Sequence, residues 1–205
     1  IGDIFKEEIN KNCEHLKFDI APAFRFKTFE KPQNIKSKRI YLLLPININE
    51  SIELVMNTYK AFSNYSEFNF VVRLHPTLSL NKFKSRLKNN VIDFFEFSHE
   101  SFDNIIRDAA IFLGNSTSAL IEAALSGVPV IIIPNKNWVT QNPFPDICNK
   151  RLFKKCNTFK ELPKIVIEMF EISKYKLKED ELKSIKEKYL MKVDKKNTYE
   201  FLDII

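Results

Sequence analysis

Short apolar runs alternate with amphipathic stretches from Ile40 to Ile133, and this alternation restricts the fold more than any other feature of the chain. Ile40 to Leu44 is a continuous apolar run stopped by Pro45, which reads as a strand. Asn49 to Phe62 places Ile52, Val55, Met56 and Tyr59 on one face of a helix. Phe68 to Leu74 is the next strand, ending at His75-Pro76. Lys82 to Leu87 predicts a short helix, Val91 to Phe95 a strand, and Ser101 to Ala109 a helix with Phe102, Ile105 and Ile106 inward. A strand over Ala110 to Leu113, a helix over Thr117 to Ser126 and a strand over Val130 to Ile133 complete the series. Strands that alternate with helices join through right-handed crossovers into a parallel sheet. Most of these runs are apolar on both faces, as a sheet covered by helices on both sides requires. The expected fold class is therefore α/β, a Rossmann-like parallel sheet with helices on both faces.

The flanks are less regular. Residues 1–17 carry Ile4, Phe5, Ile9 and Leu16 at helix-like spacing, Asp19 to Phe29 reads as an extended connection, and Lys31 to Lys38 as a loop. Leu162 to Ile172 is another amphipathic helix. Lys174 to Lys196 is dense in Lys and Glu, with Leu182, Ile185, Tyr189 and Leu190 as one narrow apolar stripe. The chain thus divides into an N-terminal helix and connection (1–38), a central α/β unit (39–172) and a Lys-rich helical extension (173–205).

Composition narrows the class. Hydrophobic content of 44% and charged content of 28% over 205 residues suit a soluble globular domain, and no apolar run approaches the ~20 residues of a membrane span. The start is charged and lacks the apolar segment of a secretory signal, and it opens on Ile1, which suggests a piece of a longer protein. Cys13, Cys148 and Cys156 are odd in number and lack metal-binding spacing, so they read as reduced thiols and the expected location is the cytoplasm. The net charge of +6 reads as Lys-rich solvated faces, or as attraction to nucleotide phosphates, acidic polysaccharide or a membrane surface. The last leaves open a peripheral place at the inner face of the cytoplasmic membrane. Nucleic acid is disfavoured, because the basic residues are spread and no recognised binding motif occurs.

The residues with chemical potential gather at strand ends, where ligands collect in open parallel sheets. Gly114-Asn115-Ser116-Thr117-Ser118 joins a strand to a helix start, where unpaired N–H groups and hydroxyls suit phosphate oxygens. Simple N-capping by one hydroxyl is the alternative. Glu122 lies one turn after Ser118 on the same helix face, placed to accept hydrogen bonds from ribose hydroxyls or simply to face solvent. Gly127 is expected at the helix C′ position and Pro129 as a stop, both structural. Pro76 biases His75 toward extended geometry, from which its ring can donate to a phosphate or protonate a leaving phosphate. Arg73 shares that side of the strand and can pair with a phosphate or with a structural carboxylate. Trp138 follows a strand end and can stack on a base or anchor a loop. Asn142-Pro143-Phe144-Pro145 reads as a surface loop on the same rim. No Asp-x-Asp pair or His/Cys cluster appears, so no metal site is expected. His15 and His99 are given no role.

In order, Arg73-Leu74-His75-Pro76, Gly114-Asn115-Ser116-Thr117-Ser118 and Glu122-Ala123-Ala124-Leu125-Ser126-Gly127-Val128-Pro129-Val130 resemble the C-terminal donor-binding domain of GT-B glycosyltransferases. The likeness is to bacterial surface-polysaccharide transferases with an HP motif and a paired-hydroxyl motif. These are the sialyltransferase- and polysialyltransferase-like enzymes, capsule Kdo-transferase-like enzymes and CDP-glycerol polymerases. Ala21-Pro22-Ala23-Phe24-Arg25-Phe26 looks like the interdomain segment that precedes this domain in such enzymes.

The resemblance implies the C-terminal half of a GT-B fold and an inverting, metal-independent transferase of capsule, lipopolysaccharide or other surface-glycan synthesis. It implies no cofactor, only a nucleotide-sugar donor, with a CMP-linked acidic sugar favoured over UDP or CDP donors, and a glycan acceptor. By resemblance His75 and Asn115 to Ser118 hold phosphate, His75 acts in catalysis, and Glu122 holds ribose. The acceptor domain, where such families keep the catalytic base, is missing from this chain. A UDP-GlcNAc 2-epimerase-like enzyme is the alternative enzyme, although Thr117-Ser118 stands where a double glycine would favour it. A non-catalytic nucleotide-binding domain in a glycan assembly complex is the alternative from another class.

Overall fold

The protein is described here by a computed structural model that covers residues 9–11, 13, 15, 37–115, 117–137, 144, 151–173, 179–189, 196, 198 and 199. Six strands form one sheet: β1 (Arg39–Leu43), β2 (Asn69–Arg73), β3 (Glu96–Ser98), β4 (Ile111–Gly114), β5 (Val130–Ile132) and β6 (Phe153–Lys155). Every pairing is parallel and the spatial order is β3-β2-β1-β4-β5-β6. The chain therefore winds outward in one direction from β1 and then returns to start the other half at β4, as in a Rossmann sheet. Strand periodicity divides the core into two layers. Ile40, Leu42 and Leu44 of the β1 segment join Ile111 and Leu113 on one face, while Tyr41, Leu43 and Phe112 point to the other.

The first face is covered by α1 (Ile48–Phe62), α2 (Leu80–Lys84), α3 (Asn89–Phe94) and α6 (Leu162–Ser173), which contribute Leu54, Val55, Phe62, Phe83, Val91, Val166 and Met169. Phe62 and Phe70 lie 4.7 Å apart between ring centroids, and Phe70 stacks on Phe94 at 5.6 Å, so much of this layer is aromatic. The second face is covered by α4 (Phe102–Asp108), α5 (Ala119–Leu125) and α7 (Glu179–Tyr189). Helix starts use local caps: Asn47 accepts from the N–H groups of Asn49 and Glu50, and Ser101 accepts from that of Asn104. Helix α5 ends at Gly127, whose φ of 84° is the left-handed geometry expected of a C′ glycine.

Several expectations need correction. Val91 to Phe95 is not a strand; Asn89–Phe94 is helix α3, and the strand follows at Glu96–Ser98. The α2 helix runs over Leu80–Lys84, earlier than Lys82 to Leu87, because Ser79 caps it by accepting from the N–H of Lys82. Strand β6 has no counterpart in the sequence reading. Phe144, expected on a surface loop, is buried and stacks on Phe153 at 4.7 Å, closing the second core layer beside Tyr189. Tyr189 is itself buried and Leu182 half-buried, so helix α7 packs through these two positions of the expected stripe. Ile9–Lys11 has helical backbone but Ile9 is exposed. Most of the proposed N-terminal helix, the segment 21–26, Ile185's side chain and Leu190 lie outside the described residues.

At the amino end of the sheet, Arg39 makes a two-pronged bond to Glu96 and a third to Asp108, and Tyr41 donates to Asp108 at 3.1 Å. This network ties β1, β3 and α4 together at the edge opposite the candidate site.

Candidate functional site

The carboxyl edge of the sheet collects most of the residues singled out from sequence. In the strand register Leu43 of β1 sits level with Arg73 of β2 on one side and Gly114 of β4 on the other. The direction in which successive strands are added to the sheet reverses between β1 and β4, and loops on either side of such a point diverge and leave a crevice. The Arg73–His75 segment and the Gly114–Ser118 turn therefore stand at the ends of the two strands on either side of β1, flanking the crevice.

Arg73 is half-buried. Its guanidinium lies over the Phe102 ring, 5.5 Å from the centroid, and its Nε points at the carbonyl of Glu100 at 3.5 Å. Burial lowers its pKa, and the carboxylate of Glu122 pushes it back up. Glu122 on α5 and Arg73 on β2 thus share one electrostatic environment across the crevice, and an arginine so placed keeps its charge at neutral pH.

His75 is fixed by its own turn. Its Nδ1 faces the backbone N–H of Thr77 at 3.3 Å and the Thr77 hydroxyl at 2.8 Å, and its carbonyl accepts from the N–H of Leu78. A ring nitrogen that faces a backbone N–H must accept, so the neutral ring carries its proton on Nε2. The turn leaves His75 with Nε2–H as its remaining donor.

The hydroxyl turn divides its labour. Thr117 Oγ1 accepts from the N–H of Ala119 at 3.4 Å, whereas Ser118, the N-cap of α5, makes no side-chain capping bond. Among the described residues, capping at this helix start therefore falls to the Thr117 hydroxyl. Gly114 permits the close approach of strand end and helix, since a Cβ there would stand 2.9 Å from Leu120 Cδ1. Asn115 is buried, and its side-chain amide donates to Asn135 on the loop after β5. Ser116 and Trp138 lie outside the described residues.

Sequence reasoning missed Glu53. Placed in the second turn of α1, its carboxylate accepts from the backbone N–H of Lys136 at 2.5 Å and from the side-chain amide of Asn137 at 3.1 Å. Together with the Asn115–Asn135 bond, this holds Asn135, Lys136 and Asn137, just after β5, from the Gly114–Ser118 turn and from α1. Glu53 read as one more acidic residue near a helix start, so nothing local distinguished it; the contact spans 83 residues. Thr77 was missed too, although a hydroxyl two residues after a histidine is within reach of its Nδ1. Cys156 is buried, donates to the carbonyl of Thr158, and burial raises its pKa to about 11, which keeps it a thiol and outside any nucleophilic role at neutral pH. His15 and His99 are exposed. Among the described residues no group of three or more His, Cys, Asp or Glu is placed to hold a metal, and no helix is long and apolar enough to cross a membrane.

No protein-family profile matches the chain, and no curated protein sequence matches it. Solved structures do. Over 98% of its length the chain superposes on 42% of an S. aureus TarM variant in complex with UDP, fondaparinux and alpha-GlcNAc-glycerol, with a TM-score of 0.65 at 11% identity. It superposes on 44% of the pneumococcal O-GlcNAc transferase GtfA in complex with UDP and GlcNAc (TM-score 0.55, 15% identity), again over 98% of its length. A third likeness is to UDP-GlcNAc 2-epimerase from Neisseria meningitidis bound to UDP-GlcNAc, of which it covers 49% (TM-score 0.53, 15% identity). The chain carries a Rossmann-like domain of the GT-B kind. It spans less than half the length of each of these proteins.

Proposed function

We propose that this chain is the donor-binding half of a glycosyltransferase, holding a nucleotide-sugar in the crevice between β2 and β4. The observation that carries the reading is the pairing of Arg73–His75 with the Gly114–Ser118 turn on either side of Leu43 at the topological switch point. In this reading the Nε2–H of His75 donates to a phosphate oxygen and stabilises negative charge as the nucleotide leaves. Ser116, Thr117 and Ser118 with the nearby backbone N–H groups take the remaining phosphate oxygens. Asn115 contributes its backbone and holds the rim through Asn135. Glu122 accepts from ribose hydroxyls while Arg73 balances its charge, and Trp138 is the candidate to stack on the base. The transfer is read as inverting and metal-independent, with the catalytic base on an acceptor domain outside this chain.

On the motif resemblance, a CMP-linked acidic sugar is the first donor and surface-glycan synthesis the setting. The neighbours bound to UDP or UDP-GlcNAc favour a UDP-sugar as the second reading. Calorimetric titration with CMP, UDP and CDP separates them. His75→Ala is expected to weaken binding of the preferred nucleotide about tenfold, the scale of one charge-assisted hydrogen bond, and to leave binding of its nucleoside unchanged. Equal loss for nucleotide and nucleoside rejects the phosphate role. A folded wild-type chain that binds none of the three rejects the donor site and leaves a scaffolding domain.

A further inference from the structure

From residue 68 to residue 92 the chain carries five of its 32 Lys and Arg and none of its 26 Asp and Glu. Two of the charged or titratable groups in this stretch, Arg73 and His75, belong to the crevice. The other four cations, Lys82, Lys84, Arg86 and Lys88, continue from β2 through α2 to the start of α3. None of these four forms an ion pair with any described residue. The fold holds the tract in place by uncharged contacts. Phe83 and Leu87 are buried, the Lys84 ammonium sits over the Phe97 ring at 4.3 Å, and Arg86 donates to Asn49 Oδ1 at 2.7 Å.

Two contacts give the tract a direction. Asn49 lies in the first turn of α1, directly after the carboxyl end of β1, so Arg86 stands at the crevice edge. Asn90, just past Lys88, donates to the hydroxyl of Tyr59, far down the same helix. Asn49 and Tyr59 are ten residues apart in α1, so the segment from the Arg86 guanidinium to Asn90, with Lys88 between, runs about 15 Å along the helix at ~1.5 Å per residue. A nucleotide-sugar confined to the crevice does not reach that far, and the one or two phosphates of a nucleotide do not neutralise that many cations.

We infer that this strip is a track for a polyanionic acceptor, a polymer with repeating phosphate or carboxylate groups led toward the crevice. The inference takes the acceptor side of the proposed transfer, so its meaning rests on that reading, although its measurement does not. A polymer fits better than a lipid surface. The apolar side chains of the strip are turned inward, and none of the exposed large hydrophobic residues, Ile9, Ile46, Tyr65, Ile167 and Tyr199, lies within it. A membrane-binding face would insert such residues beside its cations.

The test uses the full chain with inorganic polyphosphate as the phosphate polymer and alginate as the carboxylate polymer. The triple variant Lys82→Ala/Arg86→Ala/Lys88→Ala is compared with a charge-matched control, Lys155→Ala/Lys160→Ala/Lys164→Ala, whose lysines are exposed and lie outside the strip, on β6, α6 and the segment between them. The strip variant is expected to lose at least about tenfold in affinity for one or both polymers at low salt, with a shallower salt dependence, while the control keeps wild-type affinity. Polyphosphate without alginate identifies a phosphate-bearing polymer; both together identify a general polyanion track. If the strip triple unfolds, Lys82→Gln/Lys88→Gln, which touches only exposed side chains, replaces it with a smaller expected loss. Equal loss in strip and control variants shows attraction by overall charge and overturns the inference. So does binding to phosphatidylglycerol vesicles without binding to either polymer, and so does failure of the wild-type chain to bind either polymer. Nucleotide titration of the strip variants separates the two proposals. Unchanged nucleotide affinity with lost polymer binding supports the track, while nucleotide binding absent from wild type as well removes the donor reading and leaves the track as measured.

Discussion

Gly127 shows how one residue can fix the exit of a helix without touching a ligand. Its φ of 84° lies in the region that costs an L-residue about 1 kcal/mol or more, and yet an added Cβ would meet only the Leu182 side chain at 3.6 Å, an ordinary contact. The penalty for Gly127→Ala is therefore conformational and not steric. We expect a loss of about 1 kcal/mol, seen as a drop in Tm of roughly 2–4 °C for a chain of this size, with Gly127→Asn intermediate because asparagine tolerates the left-handed region. Thermal unfolding by circular dichroism measures it, and an unchanged Tm in Gly127→Ala contradicts the assignment. His75 obeys the same local logic. Its orientation comes from Thr77, two residues away, and that contact was within reach of sequence reasoning because both partners sit in one turn.

At the scale of elements the long-range contacts decide, and these are the ones sequence conceals. Glu53 joins α1 to the loop after β5 through a backbone N–H and a side-chain amide. Glu53→Ala is expected to speed hydrogen exchange at Lys136 about tenfold, the scale of one lost hydrogen bond to a charged acceptor, and Glu53→Gln, which keeps an acceptor oxygen, less. Equal exchange in all three proteins removes the clamp. The strands and helices that were legible were those with a strong period: β1, β4 and β5 are buried on both faces, and α1 presents a clear apolar stripe. Val91-Ile92-Asp93-Phe94-Phe95 was misread because a short apolar run suits a buried strand and a buried helical turn equally well. The true strand, Glu96-Phe97-Ser98, is an edge strand with an exposed residue and no apolar run to announce it. Strand β6 escaped for the same reason, since Phe153-Lys154-Lys155 pairs on one side only and Lys154 bonds to Glu168 of α6. The candidate site followed the same division. Arg73, His75 and the Gly114–Ser118 turn were visible because each adjoins a strand end, whereas the partnerships Asn115–Asn135 and Glu53–Lys136 required the sheet order.

Over the whole molecule the two edges of the sheet have separate work. The carboxyl edge gathers Arg73, His75, Glu122 and the hydroxyl turn, while the amino edge gathers the Arg39–Glu96–Asp108–Tyr41 network, which should govern stability alone. Tyr41 makes this testable through pH. Burial raises its pKa above the ordinary value of about 10, and the negative charge of Asp108, which also accepts its hydrogen bond, raises it further. The folded chain therefore holds this proton more tightly than the unfolded chain. Below about pH 10 both states keep it and the contribution is fully present; above that, the unfolded state releases it first, so stability falls as pH rises. One such proton gives a slope of up to about 1.4 kcal/mol per pH unit. Tyr41→Phe removes that slope along with one hydrogen bond, so it should be less stable by about 1 kcal/mol at pH 8 and lose less than the wild type between pH 9.5 and 11. Urea unfolding across that range measures both effects. Nucleotide binding at pH 8 should be the same in both proteins, because the Tyr41 hydroxyl is engaged with Asp108 in the amino-edge network and not with the crevice residues. Parallel alkaline slopes would show that another group carries the pH dependence, and a loss of nucleotide affinity in Tyr41→Phe would show that the two edges are coupled through β1.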